Sequence, residues 1–138
     1  MAVRTTADSA FGCAGQRCLA TSLAITVGEA HNPFVEMICD TATDQKVGYG
    51  LDEEIQMGTV INPASQKRIE ELISVGVSEG AGLPVDRRGN LIPGYEGGSF
   101  LRPTILRMCN PEARSPTPRS SDRYWASCRS RVWMRRSP

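Results

Sequence analysis

Two stretches of the chain repeat apolar residues at helical spacing. Phe34, Ile38 and Ala42 follow the pair Asn32-Pro33, and Ile69, Leu72, Ile73 and Gly76 follow Asn62-Pro63. Both patterns place the apolar positions on one face of a helix. In each, Asn is suited to cap the helix, since its side-chain oxygen accepts from an orphan amide, and Pro suits the first helical position, where no amide proton is needed. The β-rich run Leu23 to Val27 predicts a strand, as do the runs Leu83 to Val85 and Leu101 to Leu106. Ahead of the first strand, SAFGCAGQRC reads as a glycine-punctuated loop leading into a short helix around Gln16 to Thr21. Strands alternating with helices at these intervals predict an α/β layer structure. From Arg107 onward neither period survives, and 4 Pro and 6 Ser are scattered among arginines, a composition that predicts a disordered Arg/Ser/Pro-rich C-terminal tail.

Charge sharpens that boundary. The 138 residues carry a net charge of +1, but Met1 to Leu106 hold 8 basic and 13 acidic residues, whereas Arg107 to Pro138 hold 8 Arg, no Lys and 2 acids. A basic tail on an acidic body raises the possibility of a nucleic-acid partner, and a small nucleic-acid-binding protein using the Arg-rich tail is the alternative reading of the whole chain. The longest apolar run, LATSLAITV, is too short to span a bilayer, and no leader pattern precedes it, so no membrane role and a cytoplasmic location are expected. Five cysteines without a small-secreted-domain pattern imply reduced thiols, and the C-x4-C spacing of Cys13 and Cys18, without a second pair or a histidine, makes a poor zinc site, so no metal is expected.

Among these thiols Cys18, in FGCAGQRC, is the candidate nucleophile. Arg17 adjoins it, and the short helix expected there would begin just before it; a cation and a helix N-terminus both favour a thiolate. Cys13 and Cys39 read as inert packing, Cys39 within a helix. His31, the single histidine, reads as a surface or cap residue beside the first Asn-Pro. The runs GYG and GYEGGSF lack the Lys-Ser/Thr of a P-loop and the spacing of a dinucleotide turn, so both read as loops.

Taken in order, FGCAGQRCLA, an apolar strand, a helix, MGTVINPASQKRIEELI, EGAG and GYEGGSFLRPTIL resemble the catalytic domain of aldehyde dehydrogenases. The likeness is to the CoA-acylating methylmalonate-semialdehyde dehydrogenase branch, where GQRC is followed by a small apolar residue. It covers residues 7–106, as part of a catalytic domain, and leaves 107–138 as a tail. The resemblance implies that Cys18 attacks a (methyl)malonate semialdehyde to give a thiohemiacetal. Hydride then passes to NAD, and the thioester is transferred to coenzyme A with loss of CO2. It also implies that the Cys18 amide supplies half of an oxyanion hole, that Arg17 lowers the thiol pKa or draws in the substrate carboxylate, and that the intact enzyme is a homo-oligomer.

Two features depart from the family pattern. The dinucleotide-binding domain and the second oxyanion donor have no counterpart, so cofactor-binding residues are expected to be none in this chain, which should be inactive alone. The glutamate motif E-I-F-G-P-V, due about twenty residues after RPTIL, is also missing. Synonymous codons for EARSPTPRSSDRYWA, read from the third base of each, translate as SEIAHTEIFGPVLG, which restores it. A frameshift near Arg107, with residues 107–138 read out of frame, is the expectation that follows.

Overall fold

The computed structural model describes residues 1–89, 91–108 and 131–137. The chain opens with helix α1 (Ala2–Phe11), a 3-10 turn (Gly12–Gly15) and strand β1 (Leu23–Val27). Helices α2 (His31–Asp44) and α3 (Pro63–Ser78) follow, then strands β2 (Gly82–Val85), β3 (Thr104–Met108) and β4 (Arg131–Ser137).

Four strands form one sheet in the order β1-β4-β3-β2. Strand β4 runs parallel to both neighbours, with Leu23 opposite Trp133 and Thr104 opposite Arg131, while β2 runs antiparallel to β3. The consecutive residues Thr104, Ile105 and Leu106 of β3 are all buried. Successive strand residues point to opposite faces, so the sheet is covered on both sides there. At β1 only one face is covered. Thr26 is buried, but Leu23, Ile25 and Val27 are 48%, 59% and 62% exposed. Phe11 of α1, Ile38 and Ala42 of α2, Ile69 and Ile73 of α3, and Ile105 and Leu106 of β3 form the middle of the core.

The second helix start is as its sequence implies. Asn62 Oδ1 accepts from the Ser65 amide at 2.7 Å and Pro63 takes the first helical position. The first is not. A 3-10 turn (Gly28–Ala30) feeds α2 from His31, with Ala30 at the cap and no side-chain cap bond, so Asn32 and Pro33 lie inside the first turn. Pro tolerates that position because the first four amides of a helix have no intrahelical acceptor. The helix expected over Gln16 to Thr21 is absent, and the helix of this region is α1, further upstream. Cys13, Ala14 and Gly15 all have positive φ, which breaks any right-handed helix before Gln16.

Only part of the tail falls within the described residues. Residues 109–130 lie outside the described residues, but Arg131–Ser137 is a strand between β1 and β3. The bonds that hold it are main-chain ladder bonds, and VWM is a β-prone run available to fill a gap between two parallel strands.

Candidate active site

Cys18 is positioned by α1, the turn that follows it and the start of β1. α1 is an amphipathic helix whose Val3, Ala7, Ala10 and Phe11 are buried, so its C-terminal end is fixed against the core. Gly12–Gly15 then turn the chain, with Gln16 donating its amide to the Cys13 carbonyl at 3.0 Å. Arg17 and Cys18 occupy the tip, and Ala20 donates back to the Arg17 carbonyl at 3.3 Å. The far side of the loop is tied to α1, where Ser9 Oγ accepts from the Thr21 amide at 3.1 Å and bonds the Thr21 hydroxyl at 3.0 Å. β1 carries the chain away into the sheet. Cys18 is therefore an exposed thiol on a short loop held at both ends. Among the described residues its amide has no acceptor, which leaves that N–H available to an incoming oxyanion.

Arg17 is brought to this loop but turns toward Cys13. Its Nε donates to Cys13 Sγ at 3.4 Å, and its guanidinium lies over Gly12, where a Cβ would sit 2.9 Å from Cζ. Among the described residues no helix begins just before Cys18, where the Gly12–Gly15 turn runs into a loop.

Two other expectations change, for Cys13 and His31, while Cys39 keeps its reading as packing within a helix. Cys13, read as packing, is exposed and sits in left-handed backbone at φ 52°. His31, read as a surface or cap residue, is 8% exposed, and its Nδ1 bonds the Thr26 hydroxyl at 2.7 Å, fixing α2 to β1. The 3-10 turn, which no pattern in the sequence marks, folds residues 26 and 31 together. Cys39 is half-buried against the core, and burial pushes its thiol pKa up.

The strand-to-helix connection from β1 to α2 has one glycine, Gly28, followed by the acidic Glu29. A cavity lined by Gln66, Arg87, Leu91, Tyr95 and Phe100 has a volume of about 30 Å³, room for one water, and none of its lining lies in the Cys18 loop. No cluster of three His, Cys, Asp or Glu among the described residues is placed to hold a metal. No helix among them is long and apolar enough to cross a membrane.

The aldehyde dehydrogenase family model matches residues 1–117. A probable acylating methylmalonate-semialdehyde/malonate-semialdehyde dehydrogenase, mitochondrial, of Drosophila melanogaster is 43% identical over 111 residues, covering 80% of this chain and 21% of that protein. The mitochondrial protein of the same name from Mus musculus is 41% identical over 103 residues, covering 75% and 19%. Among solved structures, a methylmalonate-semialdehyde dehydrogenase from Oceanimonas doudoroffii superposes with a TM-score of 0.81 at 28% identity, covering 99% of this chain and 27% of that one. A Sinorhizobium meliloti protein of that name, complexed with NAD, gives 0.86 at 27% identity, covering 99% and 26%. The chain thus spans about a fifth of the length of the curated relatives it matches.

Proposed function

Because the chain belongs to the aldehyde dehydrogenase family, we propose that it is a segment of a CoA-acylating (methyl)malonate-semialdehyde dehydrogenase that carries the nucleophile Cys18. The single observation behind this is the placement of Cys18, an exposed thiol at the tip of a loop pinned by Ser9–Thr21 and Gln16–Cys13 hydrogen bonds. A nucleophile must be accessible yet held in one geometry, and this loop provides both.

The chemistry assigned to these residues is the first half of the family reaction. The Cys18 sulfur forms a bond to the aldehyde carbon, the carbonyl oxygen takes the negative charge, and the Cys18 N–H stabilises it as the thiohemiacetal forms. Arg17, the residue directly before Cys18 and cationic, is assigned to the carboxylate of a semialdehyde substrate. When bound, NAD would accept hydride and coenzyme A would accept the acyl group. The 138 residues alone are proposed to be inactive as a dehydrogenase, to belong in the intact enzyme to a homo-oligomer, and to work in a cytosol-like compartment, where thiols stay reduced.

An activated ester reports Cys18 chemistry without any cofactor. Incubation of the chain with p-nitrophenyl acetate should place an acetyl group on Cys18, and Cys18→Ala should cut the labelling rate at least about tenfold. Acetylation confined to other residues would overturn the assignment. For Arg17, an Arg17→Ala change in an intact enzyme should weaken binding of a carboxylated aldehyde but not of an uncharged one.

A further inference from the structure

The nucleophile loop holds a second thiol to which the reaction gives no task. Cys13 and Cys18 are both exposed, with four residues between them. The turn closed by the Gln16 amide on the Cys13 carbonyl at 3.0 Å folds the loop back on itself. Arg17, the residue adjoining Cys18, reaches Cys13 Sγ at 3.4 Å. Cys13 also stands at φ 52°, a backbone conformation that non-glycine residues adopt at some cost, beside Ala14 at φ 53°. The third described cysteine, Cys39, differs from both: it is half-buried in α2 with its thiol pKa raised by burial.

We propose that Cys13 is a resolving thiol that protects Cys18 by forming a disulfide with it under peroxide. In the first step the Cys18 sulfur attacks one oxygen of hydrogen peroxide, the O–O bond breaks, and a sulfenic acid and one water result. In the second, the Cys13 sulfur attacks the Cys18 sulfur, the S–O bond breaks, and a second water leaves. The two thiols together lose two electrons and two protons, and the peroxide is reduced to two waters. Closing so short a loop costs little chain entropy, and the Cys13–Gln16 turn lies within the chain that separates the two thiols; the bond requires their Cα atoms to come within about 7 Å. The bridge occupies the nucleophile reversibly and keeps it from the sulfinic acid, which a thiol reductant cannot recover. That this protects catalysis rests on Cys18 being the nucleophile; the bond itself does not.

The test uses the purified 138-residue chain, reduced, then exposed to one equivalent of hydrogen peroxide at neutral pH. Remaining thiols are blocked, and the protein is digested with trypsin without reductant. Trypsin cleaves after Arg17, so a Cys13–Cys18 bond joins two otherwise separate peptides, Thr5 to Arg17 and Cys18 to Lys46. The expected result is that linked pair, released by dithiothreitol, present in Cys39→Ser and forming about tenfold faster in buffer than in concentrated urea. Cys13→Ser should instead carry Cys18 sulfinic acid at higher peroxide. A bond from Cys18 to Cys39, a bond between two copies, equal rates in buffer and urea, or sulfinic Cys18 beside an intact Cys13 thiol would each overturn the proposal. Ester acylation of Cys18 is read separately, so failure of the bridge and failure of the catalytic assignment are distinguishable.

Discussion

At the residue scale, single side chains carry definite shares of stability. Asn62 caps α3 through its bond to the Ser65 amide, so Asn62→Ala should lower stability by about 1 kcal/mol, read as a shift in urea midpoint with unchanged slope. Ile105 is fully buried in β3, and Ile105→Ala should cost about 2–5 kcal/mol, since the cavity left behind adds to the lost transfer energy. The ion pair of Asp86 and Arg88 gives a pH dependence. Arg88 donates to both carboxylate oxygens, at 2.8 and 2.6 Å, and this holds the Asp86 carboxyl below its usual range. A folded-state value below the unfolded one means that the contribution is present above an unfolded pKa of about 4 and is lost as pH falls through the folded value. Asp86→Asn should therefore lower stability at pH 7, read by urea unfolding, by less than ~1 kcal/mol for a pair this near the surface, and leave it unchanged near pH 2.

At the element scale, the sheet is covered on both faces at β3 and on one face at β1. β3 is buried on both faces, whereas Leu23, Ile25 and Val27 of β1 present a row of exposed apolar side chains along a terminal strand. Such a strand is a template for unwanted pairing. Replacing Ile25 and Val27 with Lys should raise the concentration at which light scattering sets in, with the far-ultraviolet circular dichroism of the chain retained. Much of this layer was legible in the sequence. The run Leu23 to Val27, the helix capped by Asn62 and the strand at Leu83 to Val85 need only local pattern, because period and cap chemistry act over a few residues. The start of α2 and the backbone of residues 12–18 were not legible. Asn32 makes as good a cap as Asn62 on paper, but the Thr26–His31 bond and the 3-10 turn begin the helix earlier.

At the scale of the whole molecule, the family match and the segment after Met108 bear on one another. We propose that residues from near Arg107 onward are read out of frame, and the coding DNA is the check: codons incompatible with SEIAHTEIFGPVLG would end the idea. The strand at Arg131–Ser137 does not conflict with it. Ladder bonds come from the backbone, so a run with β-prone residues can sit between β1 and β3 whatever frame encoded it. A corrected frame is expected to place the glutamate motif after β3. The 138 residues as they stand should produce no NADH from malonate semialdehyde, NAD and coenzyme A, measured at 340 nm (the standard nicotinamide band); turnover would refute the proposed inactivity. The nucleic-acid alternative would need salt-dependent DNA binding that disappears when residues 107–138 are deleted.

The sequence by itself determined the alternation of strands and helices, the α3 cap and the identity of the thiol to watch, because these follow from short-range periodicity and from the ordered motifs around FGCAGQRC. Only the tertiary structure decided what surrounds that thiol. Ser9 on α1 fastens Thr21, three positive-φ residues replace the expected helix, and Arg17 swings onto Gly12 and Cys13. Those contacts join residues on either side of a turn whose backbone is set by packing of α1 against the core, and no local pattern encodes a distance across such a turn.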